Sequence, residues 1–285
     1  MPGLAIEERY VEAGGLPIRY LVAGEGPPLL LLHGAGENAL DWRWVMPDLA
    51  TSHSVYAPDL PGSPGSAIPA TGFPPGFFER FVAAFLDALG VERASMIGNS
   101  LGGLAALRLA LSEPARASSL VLVGSAGLGR EVSPALRALA LPGYGALAVA
   151  WGKTPPGALQ RASGRAALLF ARPRRAPLVW LRTQYRLGRT PGFLEAQLAA
   201  IRAQVGLRGQ RELLAECLPS LRMPVLVVWG ARDRILPECQ GKEAATRLSE
   251  GRLEIFPDCG HLPHVERPGS FVAATEAFLP GSVRL

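Results

Sequence analysis

The sequence predicts an α/β fold in which helices cover both faces of a mostly parallel central sheet. Short apolar runs with the length of buried strands alternate along the chain with longer stretches of helical character. This alternation is typical of a parallel sheet between two layers of helices. A hydrophobic fraction of 48% supports a large core, and 285 residues suffice for one such domain with an insertion.

The first predicted elements form an antiparallel hairpin, and six further strands follow. The hairpin pairs segments near residues 10–12 and 18–22 around Gly14-Gly15. The remaining strands, which bring the sheet to about eight, are predicted near residues 29–32, 55–56, 94–97, 120–123, 225–229 and 253–256. Helices are predicted at residues 77–89, 101–111 and 241–248, and Gly90 is expected to end the first of them.

The alternation of strands and helices lapses between the sixth and the seventh predicted strand. Residues from about 128 to 218 contain helical segments separated by prolines, which begin or end helices. We therefore predict that residues 128–218 form a helical cap over the active site. It is inserted after the sixth strand into a core domain of residues 1–127 and 219–285. Residues 128–216 carry fourteen basic and four acidic residues, whereas the whole chain has a net charge of +5.

A Gly-x-Ser-x-Gly sequence, Gly98-Asn99-Ser100-Leu101-Gly102, stands between a predicted strand and a predicted helix. A serine on such a tight turn projects its hydroxyl clear of the sheet, and the glycines on either side leave room for neighbouring backbone. The turn also directs the backbone N–H of Leu101 towards the position where an oxyanion would form. We predict that Ser100 is the nucleophile.

An acid and a base follow in the order that this turn requires. Asp233 and His261 come after two consecutive predicted strands, and open parallel sheets carry their sites at the carboxyl ends of strands. His261 would accept the Ser100 proton, while Asp233 would hold the imidazole in the correct tautomer. Asp59 and Asp258 are the competing acids. We expect Asp59 to hold its own loop together, and Asp258 to cap a local turn or contact the His261 ring.

The other histidines have non-catalytic interpretations. His33 follows an apolar strand, and we expect it to order its loop through hydrogen bonds. His53 follows Thr51-Ser52 and is expected on the surface. His264, three residues beyond His261, is expected to be structural.

Together these motifs resemble serine hydrolases of the α/β-hydrolase fold, over a region from His33 to Pro268. His33-Gly34-Ala35-Gly36 is similar to the oxyanion loop of that family. The resemblance implies that the N–H groups of Ala35 and Leu101 together hold an oxyanion. We also expect four residues beside the motifs to contact the substrate, namely Gly34, Gly36, Asn99 and Leu262.

Three functions are compatible with these residues. Hydrolysis of a carboxylic ester through an acyl-enzyme is the first interpretation. The second is hydrolysis of a carbon–carbon bond in aromatic ring-cleavage products (2-hydroxy-6-oxo-dienoates), because the Gly98-Asn99-Ser100-Leu101-Gly102-Gly103 turn is similar to that group and a basic cap suits anionic substrates. That group usually has tryptophan directly after the catalytic histidine, where this chain has Leu262. A non-catalytic small-molecule receptor on the same fold is the third.

The basic residues of the predicted cap have two interpretations. They form a solvated surface, or one or two of Arg172, Arg182 and Arg186 face the pocket and bind a substrate carboxylate. The apolar stretch 138–151 is expected to pack cap on core, or to line an apolar pocket, in preference to meeting a membrane.

Composition limits the remaining possibilities. The three cysteines are few, odd in number and without metal-ligand spacing, so we expect no metal and no cofactor. The first twenty residues lack a sustained apolar stretch, and no apolar run is long enough for a membrane span. We therefore expect a cytoplasmic protein without stable membrane insertion. Its expected partner is a small-molecule ester or other acyl substrate and not nucleic acid, and a homodimer is possible.

Overall fold

The computed structural model describes residues 5–280, and the outer ends of the predicted core domain, residues 1–4 and 281–285, lie outside that range. The described strands are β1 Glu7–Ala13, β2 Leu16–Ala23, β3 Pro28–Leu32, β4 Ser54–Pro58, β5 Ala94–Asn99, β6 Ala117–Val123, β7 Val205–Gly206, β8 Gly209–Gln210, β9 Val225–Gly230 and β10 Gly251–Phe256.

Eight of these strands form one sheet in the order β1-β2-β4-β3-β5-β6-β9-β10. The pair β1–β2 is antiparallel, as the sequence predicts, and β2 also runs antiparallel to β4. All neighbours from β4 to β10 are parallel. The short strands β7 and β8 pair only with each other. The prediction of a mostly parallel sheet of eight strands is confirmed.

Helices cover the sheet on both faces. They are α1 Met46–Leu49, α2 Phe77–Ala88, α3 Leu101–Ser112, α4 Pro134–Leu139, α5 Tyr144–Gly152, α6 Pro155–Leu169, α7 Leu178–Arg189, α8 Phe193–Gln204, α9 Glu238–Arg247, α10 Pro263–Glu266 and α11 Pro268–Glu276. Short 3₁₀ turns lie at Ala39–Trp42, Pro114–Arg116, Pro173–Arg175 and Ala215–Ser220.

Alternate residues of the strands contact two different hydrophobic clusters. In β3, Leu30 and Leu32 belong to the cluster that includes the inner faces of α2 and α3, whereas Leu29 and Leu31 belong to the cluster with α1 and α11. Successive side chains of a strand point to opposite faces of a sheet, so a strand that is apolar at every position must be covered by helices on both faces. This explains why β3 contains four consecutive leucines.

Five helices, α4 to α8, lie between β6 and β9. We call residues 128–218 the helical insertion. Pro134 and Pro155 occupy the first positions of α4 and α6, where Ser133 and Thr154 accept hydrogen bonds from the first backbone N–H groups. Two of the prolines that separate the segments in sequence therefore start helices. The division into a core domain and a cap domain stays a prediction. Among the described residues, no helix is both long and apolar enough to cross a membrane.

The expectation of a surface position for His53 is wrong. The side chain is fully buried, and its Nδ1 lies 2.8 Å from the Ser52 hydroxyl. The turn between β2 and β3 packs over this segment: a Cβ on Gly24 or Gly26 would collide with the backbone carbonyls of residues 50–53. The glycine backbone of this turn therefore packs directly on the backbone of residues 50–53.

Candidate active site

Ser100 lies on a strained turn between β5 and α3. Its φ is +51°, and it is the one non-glycine residue with positive φ in the described part of the chain. Such a conformation persists only where the surroundings enforce it. A Cβ on Gly98 would collide with the carbonyl of Gly102, and one on Gly102 would collide with the carbonyl of Leu32. Both glycines are therefore required for the close packing that holds the turn.

Asp233 and His261 are joined by a short hydrogen bond. The Oδ2 atom of Asp233 lies 2.6 Å from Nδ1 of His261, and both side chains are buried. The other carboxylate oxygen, Oδ1, accepts hydrogen bonds from the N–H groups of Ile235 at 2.7 Å and Leu236 at 3.0 Å. Because two backbone amides hold Oδ1, the carboxylate presents Oδ2 to the imidazole in one orientation.

This contact sets the basicity of His261. Burial alone would lower the pKa of the imidazole, but the charge of Asp233 and its hydrogen bond outweigh burial and raise the pKa above its usual value. Asp233 also fixes Nδ1 as the protonated nitrogen, so Nε2 is left as the proton acceptor. His261 and Ser100 line the same cavity.

Two backbone N–H groups beside Ser100 are free to bind an anion. Leu101 is the first residue of α3, and Ala35 lies in the loop after β3. Among the described residues, no carbonyl or side-chain atom accepts a hydrogen bond from either N–H group. The partial positive charge of a helix N-terminus adds to the potential at Leu101. These donors and Ser100 border one small cavity of about 40 Å³.

Side chains of the helical insertion hold the oxyanion loop, which we define as residues 34–37. From α8, Oε1 of Gln197 accepts the Gly36 N–H at 2.5 Å. From α6, Arg165 donates to the Ala35 carbonyl and to the Glu37 carboxylate, each at 3.3 Å. Arg161 donates to the Gly36 carbonyl at 3.5 Å. The position of the Ala35 N–H therefore depends on two helices of the insertion.

The main cavity lies between the sheet and the helical insertion and has a volume of about 610 Å³. The oxyanion loop, Ser100 and His261 form its base. Apolar residues of α4, α5, α6 and α8 form most of the remaining wall, among them Leu136, Leu147 and Leu198. The cavity therefore offers a largely apolar space that also contains Ser100 and His261.

None of the three arginines considered as candidates to bind a substrate carboxylate lines the pocket, which agrees with the interpretation of these three as solvated surface residues. Arg182 and Arg186 are exposed on α7, and Arg172 is exposed and paired with Asp258; none of the three lines the cavity. Arg161 and Arg165 of α6 line it instead. A four-residue spacing of arginines on a helix whose Ala158, Ala162 and Ala166 are buried could have indicated this, because such a face packs against the core.

Arg161 differs from Arg165 in its partners. No acidic side chain lies within 4 Å of Arg161 in the described range, whereas Arg165 is paired with Glu37. Arg161 instead donates to the Gln184 carbonyl at 3.0 Å, and its guanidinium lies 5.6 Å from the Phe193 ring centre. Burial and repulsion by Arg165 lower the pKa of Arg161. An anion in the cavity would relieve both effects.

Two of the four residues expected to contact substrate lie elsewhere. Gly34 and Gly36 line the cavity. Asn99 is buried, and its Nδ2 donates to the carbonyls of Val123 and His261, at 3.0 and 3.1 Å. Leu262 is also fully buried and packs in the core. The buried positions of Asn99 and Leu262 correct those expectations, because a side chain that joins two loops behind the site has no surface left for a ligand.

The remaining polar candidates hold loops. Asp59 accepts the Ala39 N–H at 2.6 Å and pairs with Arg19 at 2.7 Å. His33 bridges the Gly34 carbonyl and the Leu60 N–H, each at 2.9 Å, and burial lowers its pKa to about 4. A neutral imidazole with its proton on Nδ1 satisfies both bonds. Asp258 pairs with arginines at the surface.

His264 stacks on Trp42, with 4.2 Å between ring centres. Burial lowers the pKa of His264 to about 3, so the ring is neutral. In the described part of the chain, no group of three His, Cys, Asp or Glu side chains could hold a metal ion.

Comparison with known proteins extends these observations. The family model described as the alpha/beta hydrolase fold matches residues 27–268. The 2-hydroxymuconate semialdehyde hydrolase of Pseudomonas sp. strain CF600 is 32% identical over 282 residues, which cover 95% of this chain and 93% of that protein.

Two solved structures have the same fold over nearly the whole chain. The 2-hydroxy-6-oxo-6-phenylhexa-2,4-dienoate hydrolase of Rhodococcus sp. strain RHA1 is 26% identical, with a TM-score of 0.82 over 96% of this chain and 99% of that one. An esterase of Rhodococcus sp. ECU1013 is 25% identical, with a TM-score of 0.76 over 97% of this chain and 99% of that one. The chain is thus similar both to dienoate hydrolases and to an esterase.

Proposed function

The chain belongs to the α/β-hydrolase fold family, and from that premise we propose that it is a serine hydrolase that cleaves carboxylic esters through an acyl-enzyme on Ser100. The observation that carries the proposal is the strained Ser100 turn, which shares a cavity with the His261–Asp233 pair. A plain turn serine has no need of positive φ, two obligatory glycines and a buried, charge-supported imidazole at the same cavity.

The reaction has two halves. In the first, Nε2 of His261 takes the Ser100 proton as the hydroxyl oxygen attacks the ester carbonyl. The N–H groups of Ala35 and Leu101 hold the resulting oxyanion, a contribution worth about 10²- to 10³-fold in rate for each donor. His261 then gives its proton to the departing alcohol, which leaves the acyl group on Ser100.

In the second half, a water molecule gives a proton to His261 and attacks the acyl-enzyme. The carboxylic acid leaves, and Ser100 regains its proton. The carboxylate of Asp233 stabilises the imidazolium that forms in each half. The largely apolar wall of the cavity suits the hydrocarbon part of an ester.

One observation favours a second candidate, hydrolysis of a carbon–carbon bond in an anionic dienoate. Arg161 lines the cavity without an acidic partner among the described residues, and a guanidinium in that setting suits a substrate carboxylate. The similarity to 2-hydroxymuconate semialdehyde hydrolase agrees with this reading. The leucine at position 262, where that group usually has tryptophan, favours the ester.

Kinetics on two substrates separate the candidates. The intact protein, Ser100→Ala and Arg161→Met would be assayed on p-nitrophenyl butyrate and on a 2-hydroxy-6-oxohexa-2,4-dienoate. We expect the larger kcat/KM on the ester, a loss of about 10⁴-fold or more in Ser100→Ala, and an unchanged KM for this uncharged substrate in Arg161→Met, whatever the change in kcat.

A larger kcat/KM on the dienoate, with a rise in its KM in Arg161→Met, would establish the second candidate. Tight ligand binding without steady turnover of either substrate would indicate a receptor. Circular dichroism and thermal unfolding of each variant control for loss of fold.

A further inference from the structure

Helix α5 is apolar on every side, yet the described structure leaves most of it uncovered. Its residues, Tyr144–Gly152, include no charged side chain and only two polar atoms beyond the backbone, the Tyr144 hydroxyl and Nε1 of Trp151, which donates to Gln160 at 2.6 Å. A helix of this composition is normally buried. Here only Gly145 and Gly152 are buried. The large apolar side chains of α5, which would normally drive the burial of such a helix, are exposed to solvent.

Three large side chains of α5 share one exposed face. Leu147 is 71% exposed, and Tyr144 and Trp151 are each 52% exposed. Spacings of three and four residues place them along one side of the helix. All three also line the main cavity, so the apolar patch is continuous with the opening of the cavity that contains Ser100. We call these three residues the α5 face.

Arginines flank both ends of the α5 face. Arg202 of α8 donates to the carbonyls of Leu139 and Leu141, at 3.1 and 3.2 Å, in the segment before α5. Arg189 of α7 donates to the Lys153 carbonyl at the other end of the helix. Within residues 5–280, neither Arg189 nor Arg202 has an acidic side chain within 4 Å. Both guanidinium groups therefore keep their charge available.

We propose that the α5 face docks reversibly on a negatively charged lipid surface. Leucine, tryptophan and tyrosine on one helix side are the residues that enter the boundary between headgroups and acyl chains. Arg189 and Arg202 bind the lipid phosphates. The opening of the cavity then faces the lipid. Docking breaks no bond, so the proposal does not rest on the reaction proposed for Ser100.

The same charges disfavour a second copy of the chain as the occupant. A symmetric dimer through the α5 face would pair the same patch on both copies, which brings two sets of Arg189 and Arg202 together. The helical insertion as a whole, with fourteen basic and four acidic residues between 128 and 216, would add to this repulsion. An anionic surface is attracted by those same groups.

Vesicle flotation tests the proposal with the Ser100→Ala protein, which prevents any lipid turnover. Vesicles of phosphatidylcholine alone would be compared with vesicles that contain phosphatidylglycerol as well. We expect binding to the anionic vesicles only, and a decrease with added salt. Leu147→Glu is expected to lower the vesicle-bound to free ratio about tenfold, because it places a charge in the docking face.

Leu178→Glu is the matched control. Leu178 is 60% exposed at the start of α7, belongs to the same insertion and does not line the cavity. The change adds the same charge, so its binding should stay close to that of the parent. Thermal unfolding of both variants would verify that each is folded. Equal losses of vesicle binding in the two variants would mean that the net charge of the protein, and not the α5 face, controls binding. That result would overturn the proposal.

Two further results would also overturn it. Equal binding to neutral and anionic vesicles would show that Arg189 and Arg202 do not attract the protein to an anionic surface. A concentration-dependent dimer that Leu147→Glu abolishes, without vesicle binding, would assign the face to a second copy. Conversely, quenching of tryptophan fluorescence by brominated lipids that is lost in Trp151→Phe would support docking directly, because it reports the depth of this one side chain.

Discussion

At the scale of single residues, the two oxygens of Asp233 have separate tasks. One is held by two backbone N–H groups and the other contacts His261. The amides fix the carboxylate, and the fixed carboxylate sets the tautomer and the basicity of the imidazole. The raised pKa of His261 follows from this arrangement, in spite of its burial.

Asp233→Asn should therefore reduce kcat/KM by about 10⁴-fold at neutral pH, because the amide favours the wrong tautomer of His261. In the proposed reaction the neutral imidazole is the base, so activity of the parent should rise with pH through a pKa above the ordinary 6.5. Without the carboxylate, burial dominates, and the midpoint of the residual activity should move to lower pH. A pH profile of kcat/KM for both proteins measures this.

Asp258→Asn is the control for that change. Asp258 pairs with Arg172 and Arg232 at the surface, and exposed ion pairs contribute little. Its removal should leave the rate within about twofold. A larger loss in Asp258→Asn than in Asp233→Asn would show that the acid is wrongly assigned.

The sequence could identify a site residue where a contiguous motif marks it, but not where the packing of a helix decides which way the side chain points. Ser100 could be located because a strand, a tight glycine-flanked turn and a helix are adjacent in the chain. The pocket arginines could not, because the direction of a helical side chain depends on which face of the helix packs. Arg161 and Arg182 carry the same charge in the same insertion, but one points inward and the other to solvent.

At the scale of elements, α6 and α8 reach across the cavity to the oxyanion loop. The acceptor for the Gly36 N–H comes from α8, and the donors to the Ala35 and Gly36 carbonyls come from α6. The two parts of the chain are more than one hundred residues apart in sequence. A shift of either helix would move the donor that Ala35 provides for the oxyanion.

Gln197→Leu should lower kcat by about 10- to 100-fold, with a much smaller change in KM, because a displaced oxyanion donor weakens only the transition state. Gln197→Glu keeps an oxygen acceptor for the Gly36 N–H but loses the donor to the Gly62 carbonyl and adds a negative charge, so it should restore part of the rate. Steady-state kinetics on one ester measure both. If leucine and glutamate variants lose kcat equally, or if KM alone rises, Gln197 does not position the loop.

Periodicity explains which elements the sequence could predict. The long apolar strands and the helices α2, α3 and α9 were located to within a few residues of their observed bounds. The two-residue strands β7 and β8 and the four-residue helices α1 and α10 were not predicted, because elements this short contain no complete repeat of the hydrophobic pattern.

At the scale of the whole molecule, the insertion and the sheet enclose two spaces of very different size that meet at Ser100. The larger is about 610 Å³ and the smaller about 40 Å³, and Ala35 also borders both. If each space receives one substituent of an ester bound at Ser100, the substituent in the smaller space lies beside the Ala35 and Leu101 N–H groups. The sizes therefore limit one substituent far more than the other.

Esters with one large and one small group should accordingly be better substrates than esters with two large groups. Octyl acetate or methyl octanoate should have a kcat/KM about tenfold or more above that of octyl octanoate, since a misfit of several methylene groups costs on that order. Product analysis by gas chromatography measures all three. Equal rates would show that the smaller space does not receive a substituent.

The order of the strands along the chain also determines at what stage of synthesis the site can form. Ser100 and the oxyanion loop follow β5 and β3 at the centre of the sheet, but the acid and the base follow β9 and β10, the last strands to be made. Synthesis runs from the N-terminus, and a domain generally folds as a unit. A nascent chain on the ribosome therefore contains Ser100 long before the residues we propose as acid and base have been made, and it is inert until then. The site is complete only when β9 and β10 have joined the sheet.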